Sequence, residues 1–129
     1  MIQDQGALFR SQKTWLLVAR AGLAVALTTT LILAFSPPSP GPGLLPWDKA
    51  EHFLAFYVLT GLTAAAFPAG RIWTIVAGML ALGAAIEFIQ ALPFVHRDAD
   101  FWDWVADGVG VSFALAPLLL SRWRREAGG

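Results

Sequence analysis

Asp48 and His52 stand four residues apart, Glu87 and Gln90 three apart, and Asp103 and Asp107 four apart. On a helix each such pair shares one face. With Lys49 and Arg97 they form a set able to do chemistry: His52, Glu87 and Asp107 as candidate acids and bases, and Arg97 as a group that can grip a carboxylate bidentately or stabilise developing charge. Asp48, Lys49, His52, Glu87, Gln90, Arg97, Asp103 and Asp107 are therefore the candidate ligand-binding residues. No metal site is assigned, because the spacing of His52 and the acids matches no closed motif such as H-E-x-x-H, and no cofactor can be named. Ser112 has no neighbouring base in sequence, so no nucleophile stands out.

The elements carrying these groups are strongly apolar. Of 129 residues, 57% are hydrophobic and only 14% charged, with mean hydropathy +0.60, against about 25% charged in an ordinary soluble domain. Four apolar runs, about 15–35, 50–67, 72–92 and 104–120, each hold about 17 to 21 residues, enough to cross a hydrocarbon core of about 30 Å. The chain reads as an all-α integral membrane four-helix bundle, 15–121, flanked by a segment 1–14 and a basic tail 122–129. Prolines 37, 38, 40, 42 and 46 break the chain between the first two runs, Pro68 to Gly70 closes the second, and Pro93 closes the third. Pro117 lies inside the fourth, where membrane helices tolerate it. The six tryptophans, Trp15, Trp47, Trp73, Trp102, Trp104 and Trp123, all stand near span ends, as expected of headgroup-level rings. The first run is too long for a signal-peptide core and Leu33-Ala34-Phe35-Ser36 is no small-x-small cleavage site, so it reads as a retained helix.

Net charge is zero, nine Lys plus Arg against nine Asp plus Glu, which removes the case for a nucleic-acid partner. The zero is an average over two sides. Arg10, Lys13, Arg20, Arg71, Arg122, Arg124 and Arg125 fall on the side of the termini, and Lys49 and Arg97 on the other, which places both termini in the cytoplasm by the positive-inside rule. Asp48, Glu51, Glu87, Asp98, Asp100, Asp103 and Asp107 gather on the opposite side. By helical rise His52, Glu87 and Asp107 lie at similar depth, about 5 to 8 Å inside it. Gly83 and Ala84 below Glu87, and Gly110 and Ala114 below Asp107, would let these polar faces turn into the bundle. The acid excess there needs protonation, water, a metal ion or a cationic ligand group to relieve it.

Simpler roles compete for several residues. Asp48 can cap the second helix. Lys49 and Glu51 can serve as interfacial anchors, Glu51 pointing away from the Asp48 and His52 face, and Asp98 and Asp100 can be solvated loop residues. The remaining ionisable groups can form a structural polar knot that fixes helix register.

Asp48-Lys49-Ala50-Glu51-His52-Phe53, then Glu87-Phe88-Ile89-Gln90, then Arg97, then Asp103, Asp107 and Gly110, resemble in order and spacing the motifs of the VanZ-like family. These are small bacterial membrane proteins named for one associated with teicoplanin resistance. The resemblance covers Trp47 to Ala114 and departs at Phe56, at Val95-His96 and at Asp107, where the family tends to have Tyr, Pro-Gly and Asn. It implies a multi-pass protein of the bacterial cytoplasmic membrane, associated with the cell envelope. It defines no reaction and does not by itself make the chain a resistance protein. Two functions follow as expectations: an outer-leaflet pocket that binds a lipid-linked or glycan envelope component, or a membrane-embedded hydrolase or transferase using His and carboxylate chemistry on such a lipid. Ion movement is the weaker expectation, since nothing ionisable continues through the inner halves of the helices. Membrane lipids are the expected surroundings, with a second copy of the chain or an envelope protein open as partner.

Overall fold

The protein is described by a computed structural model covering residues 2–37, 47–95 and 97–128, with side chains from residue 8 onward. The described residues form four helices: α1 (Ile2–Phe35), α2 (Asp48–Ala66), α3 (Ile72–Gln90) and α4 (Phe101–Ala127). No strand occurs among the described residues. Most of the proline-rich connection between α1 and α2 lies outside the described residues, as does His96.

Each apolar run becomes a helix, but two helices outgrow their runs. No Pro or Gly-rich breaker stands before Trp15, so α1 takes in nearly all of segment 1–14. Likewise α4 starts three residues early at Phe101 and carries the basic tail through Ala127. Pro117 does not interrupt α4. The start of α4 is set by Asp100, whose side chain accepts a hydrogen bond from the Trp102 amide at 2.9 Å, an N-cap that satisfies one of the orphan donors of the first turn. Asp48 plays no such part. It is already helical, the residue before it is extended Trp47, and α2 has no side-chain cap. Its charge, with Glu51 in the same first turn, still suits the positive end of the helix dipole.

Three helices, α1 from Leu8, α3 and α4, are long and apolar enough to cross a membrane. The expected fourth, α2, is not, because Asp48, Lys49, Glu51 and His52 occupy its opening turns. This polar helix is the one the others surround. It packs most extensively on α4, then on α1, with lighter contact to α3, whereas α1 and α4 do not meet. Phe56, Leu59, Ile86, Val111 and Leu115 are buried between them. Gly110 makes the α2–α4 crossing close: a Cβ there would run into the Phe53 carbonyl and the Tyr57 amide nitrogen.

Outward faces are apolar. Leu17, Val25, Ile32, Trp73, Phe88, Phe113 and Leu120 are among many exposed large side chains, Trp73 being 80% exposed. The accessible surface is 9301 Å², where a water-soluble protein of 13.9 kDa would show about 6,700 Å². So many large apolar side chains left exposed are unusual for a soluble monomer and fit a lipid-facing exterior. Five tryptophans are exposed, as headgroup-level rings require, but Trp104 is not one of them. Its indole N–H turns inward and donates to the Leu80 carbonyl at 2.9 Å, tying α4 to α3.

Candidate functional site

The polar groups gather where α2 and α4 begin and α3 ends. Lys49, in the first turn of α2, reaches the carboxylates of both Asp100 and Asp103, with Nζ at 2.6 Å and 2.8 Å. Those hydrogen bonds, Asp100's first and Asp103's second, hold the ammonium well above the usual lysine range. The same Lys49 contact, aided by the Trp102 amide, holds the Asp100 carboxyl below the usual carboxylate range. Asp100 thus has three tasks. It caps α4, pairs with Lys49, and donates its backbone N–H to Glu87 Oε2 at 2.9 Å. From sequence Asp100 reads as a solvated loop residue ahead of a run beginning at about 104; an Asp just before Phe101-Trp102-Asp103 is the N-cap signal that could have found it.

One turn deeper, His52 Nδ1 lies 3.0 Å from Asp107 Oδ1 and its Nε2 lies 3.9 Å from Asp103 Oδ2. Asp107 is completely buried and Asp103 nearly so. Asp107 can sit there only because α3 offers Gly83, where a Cβ would come within 2.5 Å of Oδ2. That oxygen and Glu87 Oε1 are buried with no hydrogen-bond partner among the described residues. His52 and Asp107 therefore meet between α2 and α4, with Glu87 turned toward the Asp100 amide.

The partnership expected of Arg97 is different in the structure. Arg97 grips no carboxylate among the described residues. Its Nη2 donates to the Leu33 carbonyl at 2.7 Å, and Gln90 donates to the neighbouring Ala34 carbonyl at 3.0 Å. Both carbonyls belong to the last turn of α1, where the helix supplies no donors, and a cation is favoured at that end of the dipole. A backbone carbonyl has no sequence signature, so this pairing was invisible beforehand. Arg20 does the same for α2, donating to the Ala66 carbonyl at 3.4 Å with its guanidinium over Phe67.

A pocket of about 570 Å³ opens between α1 and α2. Its mouth is lined by Asp48, Glu51, His52, Arg97, Asp98 and Asp103, and Gln90 also reaches it. Farther along, Ala26, Thr29, Thr30, Leu54 and Val58 continue it between the helices. Glu51, expected to face away, lines this mouth with Asp48. The pocket wraps around the first turn of α2 and therefore takes residues from more than one helical face. Lys49, Glu87 and Asp107 stand behind the wall.

The arrangement can do two things chemically. The Asp107 carboxylate behind His52 fixes the ring and directs Nε2 toward the pocket, the geometry of an oriented acid–base group. One donor atom each from Asp48, His52 and Asp103 lie within 4.8 Å of one another, close enough to share a metal ion. Ser112 is exposed and donates to the Gly108 carbonyl of its own helix. Comparisons of this chain with protein-family models, with curated proteins and with solved structures give no match.

Proposed function

We propose that this chain is a multi-pass protein of the bacterial cytoplasmic membrane, VanZ-like, whose polar-mouthed pocket binds a lipid-linked component of the cell envelope. The observation carrying this reading is the pocket's polarity gradient. Charged side chains from α2, α4 and the loop before α4 ring one end, and side chains of α1 and α2, mostly apolar or hydroxyl-bearing, line the rest with Ile86 and Gln90 of α3. An amphipathic molecule matches that gradient, with its head at Arg97 and the acids and its chain between α1 and α2. Orientation follows the cation asymmetry, with the polar end outward.

The test is identification of lipids that co-purify with the full chain. Wild type is expected to carry a defined lipid class, and Arg97→Ala (head) and Ala26→Trp (chain) are each expected to lose it while keeping helical content. Retention of the same lipids by both variants would sink the reading. If the family's association extends to this protein, deletion of the chain changes teicoplanin susceptibility of the host.

A second reading, acid–base catalysis on the bound lipid, is favoured by the His52–Asp107 contact at 3.0 Å. His52 Nε2 would move the proton and Asp107 would position the ring. Turnover of a lipid substrate retained by Asp107→Asn and by His52→Gln would remove it.

A further inference from the structure

We infer that Asp48, His52 and Asp103 form a three-ligand site for a divalent transition-metal ion of the zinc class, open to the pocket and braced by Asp107. The argument starts from hydrogen-bond capacity. Asp107 is completely buried and as a carboxylate only accepts, so the 3.0 Å contact places the hydrogen of His52 on Nδ1. In the neutral ring Nε2 then presents a lone pair. What it faces is another acceptor, Asp103 Oδ2, at 3.9 Å. The other oxygen of Asp103 is already taken by Lys49 at 2.8 Å. Among the described residues no donor stands between Oδ2 and Nε2, which therefore confront each other as two acceptors.

A cation resolves that confrontation. Metal–nitrogen and metal–oxygen distances of about 2.0 to 2.2 Å sum to slightly more than the observed 3.9 Å, so an ion fits between the two atoms with a bent ligand–metal–ligand angle. Asp48, one helical turn before His52, supplies the third atom, and the three lie within 4.8 Å of one another. Small side-chain rotations close the set.

An independent observation is that all three ligands line the pocket, whereas Asp107 and Lys49 do not. Three protein ligands with a remaining position open to a cavity is the layout of a site that also takes water or a ligand oxygen. Asp107 behind the imidazole is the carboxylate–histidine–metal relay that fixes ring orientation and raises ligand basicity. One imidazole with two carboxylates favours zinc, cobalt or manganese over a thiolate-loving ion. The site crosses from α2 to α4, so no ligand motif appears in the linear sequence.

The experiment uses the full chain, stripped with chelator and returned to lipid nanodiscs, with Zn²⁺ alone as titrant and Co²⁺ as a spectroscopic probe. Saturable binding of one ion per chain is expected, with a visible Co²⁺ spectrum carrying imidazole coordination. His52→Gln and Asp103→Asn are expected to weaken Zn²⁺ at least tenfold, and Asp107→Asn by about 10- to 100-fold, the range for an orienting carboxylate. Glu126→Gln, near the opposite end of α4 from Asp103, leaves the affinity and the spectrum unchanged. Non-saturable binding to wild type, or one-to-one binding that survives His52→Gln, overturns the site. Circular dichroism and monodispersity of each variant separate ligand loss from misfolding. Lipid co-purification, measured on the same stripped samples, reports on the pocket separately from the ion.

Discussion

Asp100 and Lys49 set how the polar end responds to acid. The Asp100 carboxyl is held below its ordinary range in the folded chain, by Lys49 first and the Trp102 amide second. Its contribution to stability is thus fully present above the ordinary carboxylate pKa of about 4 and is lost as pH falls through the lower folded value. Thermal scans in detergent are expected to show Tm falling in that acid window, and Asp100→Asn, which keeps the cap but not the charge, flattens the fall. Asp107 answers to a different demand. Asp107→Ala strands the Nδ1–H of a half-buried His52 and is expected to destabilise by about 1–3 kcal/mol. Asp107→Asn keeps an accepting oxygen and unfolds closer to wild type, as denaturant titration would show. Which residues would be buried was legible from charge placed among small residues, as at Asp103 and Asp107. Their partners were not, because the relevant distance is between helices and spacing along one helix fixes only faces. Arg97 shows this most clearly: its charge pointed to a carboxylate, and its partner is a carbonyl.

At the scale of elements, helix ends are completed by other segments. The last turn of α1 is completed by Arg97 and Gln90, that of α2 by Arg20, and the first turn of α4 by Asp100. Loss of Arg97 with Gln90, as Arg97→Ala with Gln90→Leu, is expected to speed amide hydrogen exchange at the C-terminal turn of α1 and leave α3 and α4 protected. Mass-spectrometric exchange on Ile32 to Phe35 reads this directly. The α2–α4 crossing makes a second prediction. Gly110→Ala drives a methyl into the α2 backbone and is expected to destabilise by about 1–3 kcal/mol, whereas Gly61→Ala and Gly78→Ala, with nothing within 4 Å, are neutral or stabilising by up to about 1 kcal/mol. Apolar run length predicted all four helices, and α3 nearly to its ends, Ile72–Gln90 against 72–92. It under-read α1 and α4, because hydropathy ends where charge begins and a helix does not.

For the whole molecule, the decisive arrangement is one polar-ended helix held among three apolar ones. The cost of charge at the start of α2 is met by neighbours: Lys49 is paired twice and His52 is backed by a buried acid. A chain with this exterior is expected to need detergent or lipid to stay monodisperse. Fusions of a cytoplasm-active reporter at either terminus are expected to be active, and a reporter in the 38–46 segment inactive, if the cation asymmetry sets the orientation.

The contact between Gly83 and Asp107 makes two distant positions a single heritable unit. Since a Cβ at 83 and an oxygen at 107 claim the same space, position 83 cannot gain a side chain while 107 keeps its carboxylate. In a deep mutational library Gly83→Ala is expected to be depleted on its own and partly recovered when Asp107 is replaced by Ser, and the strength of that suppression gauges how much the chain values the acid over the packing.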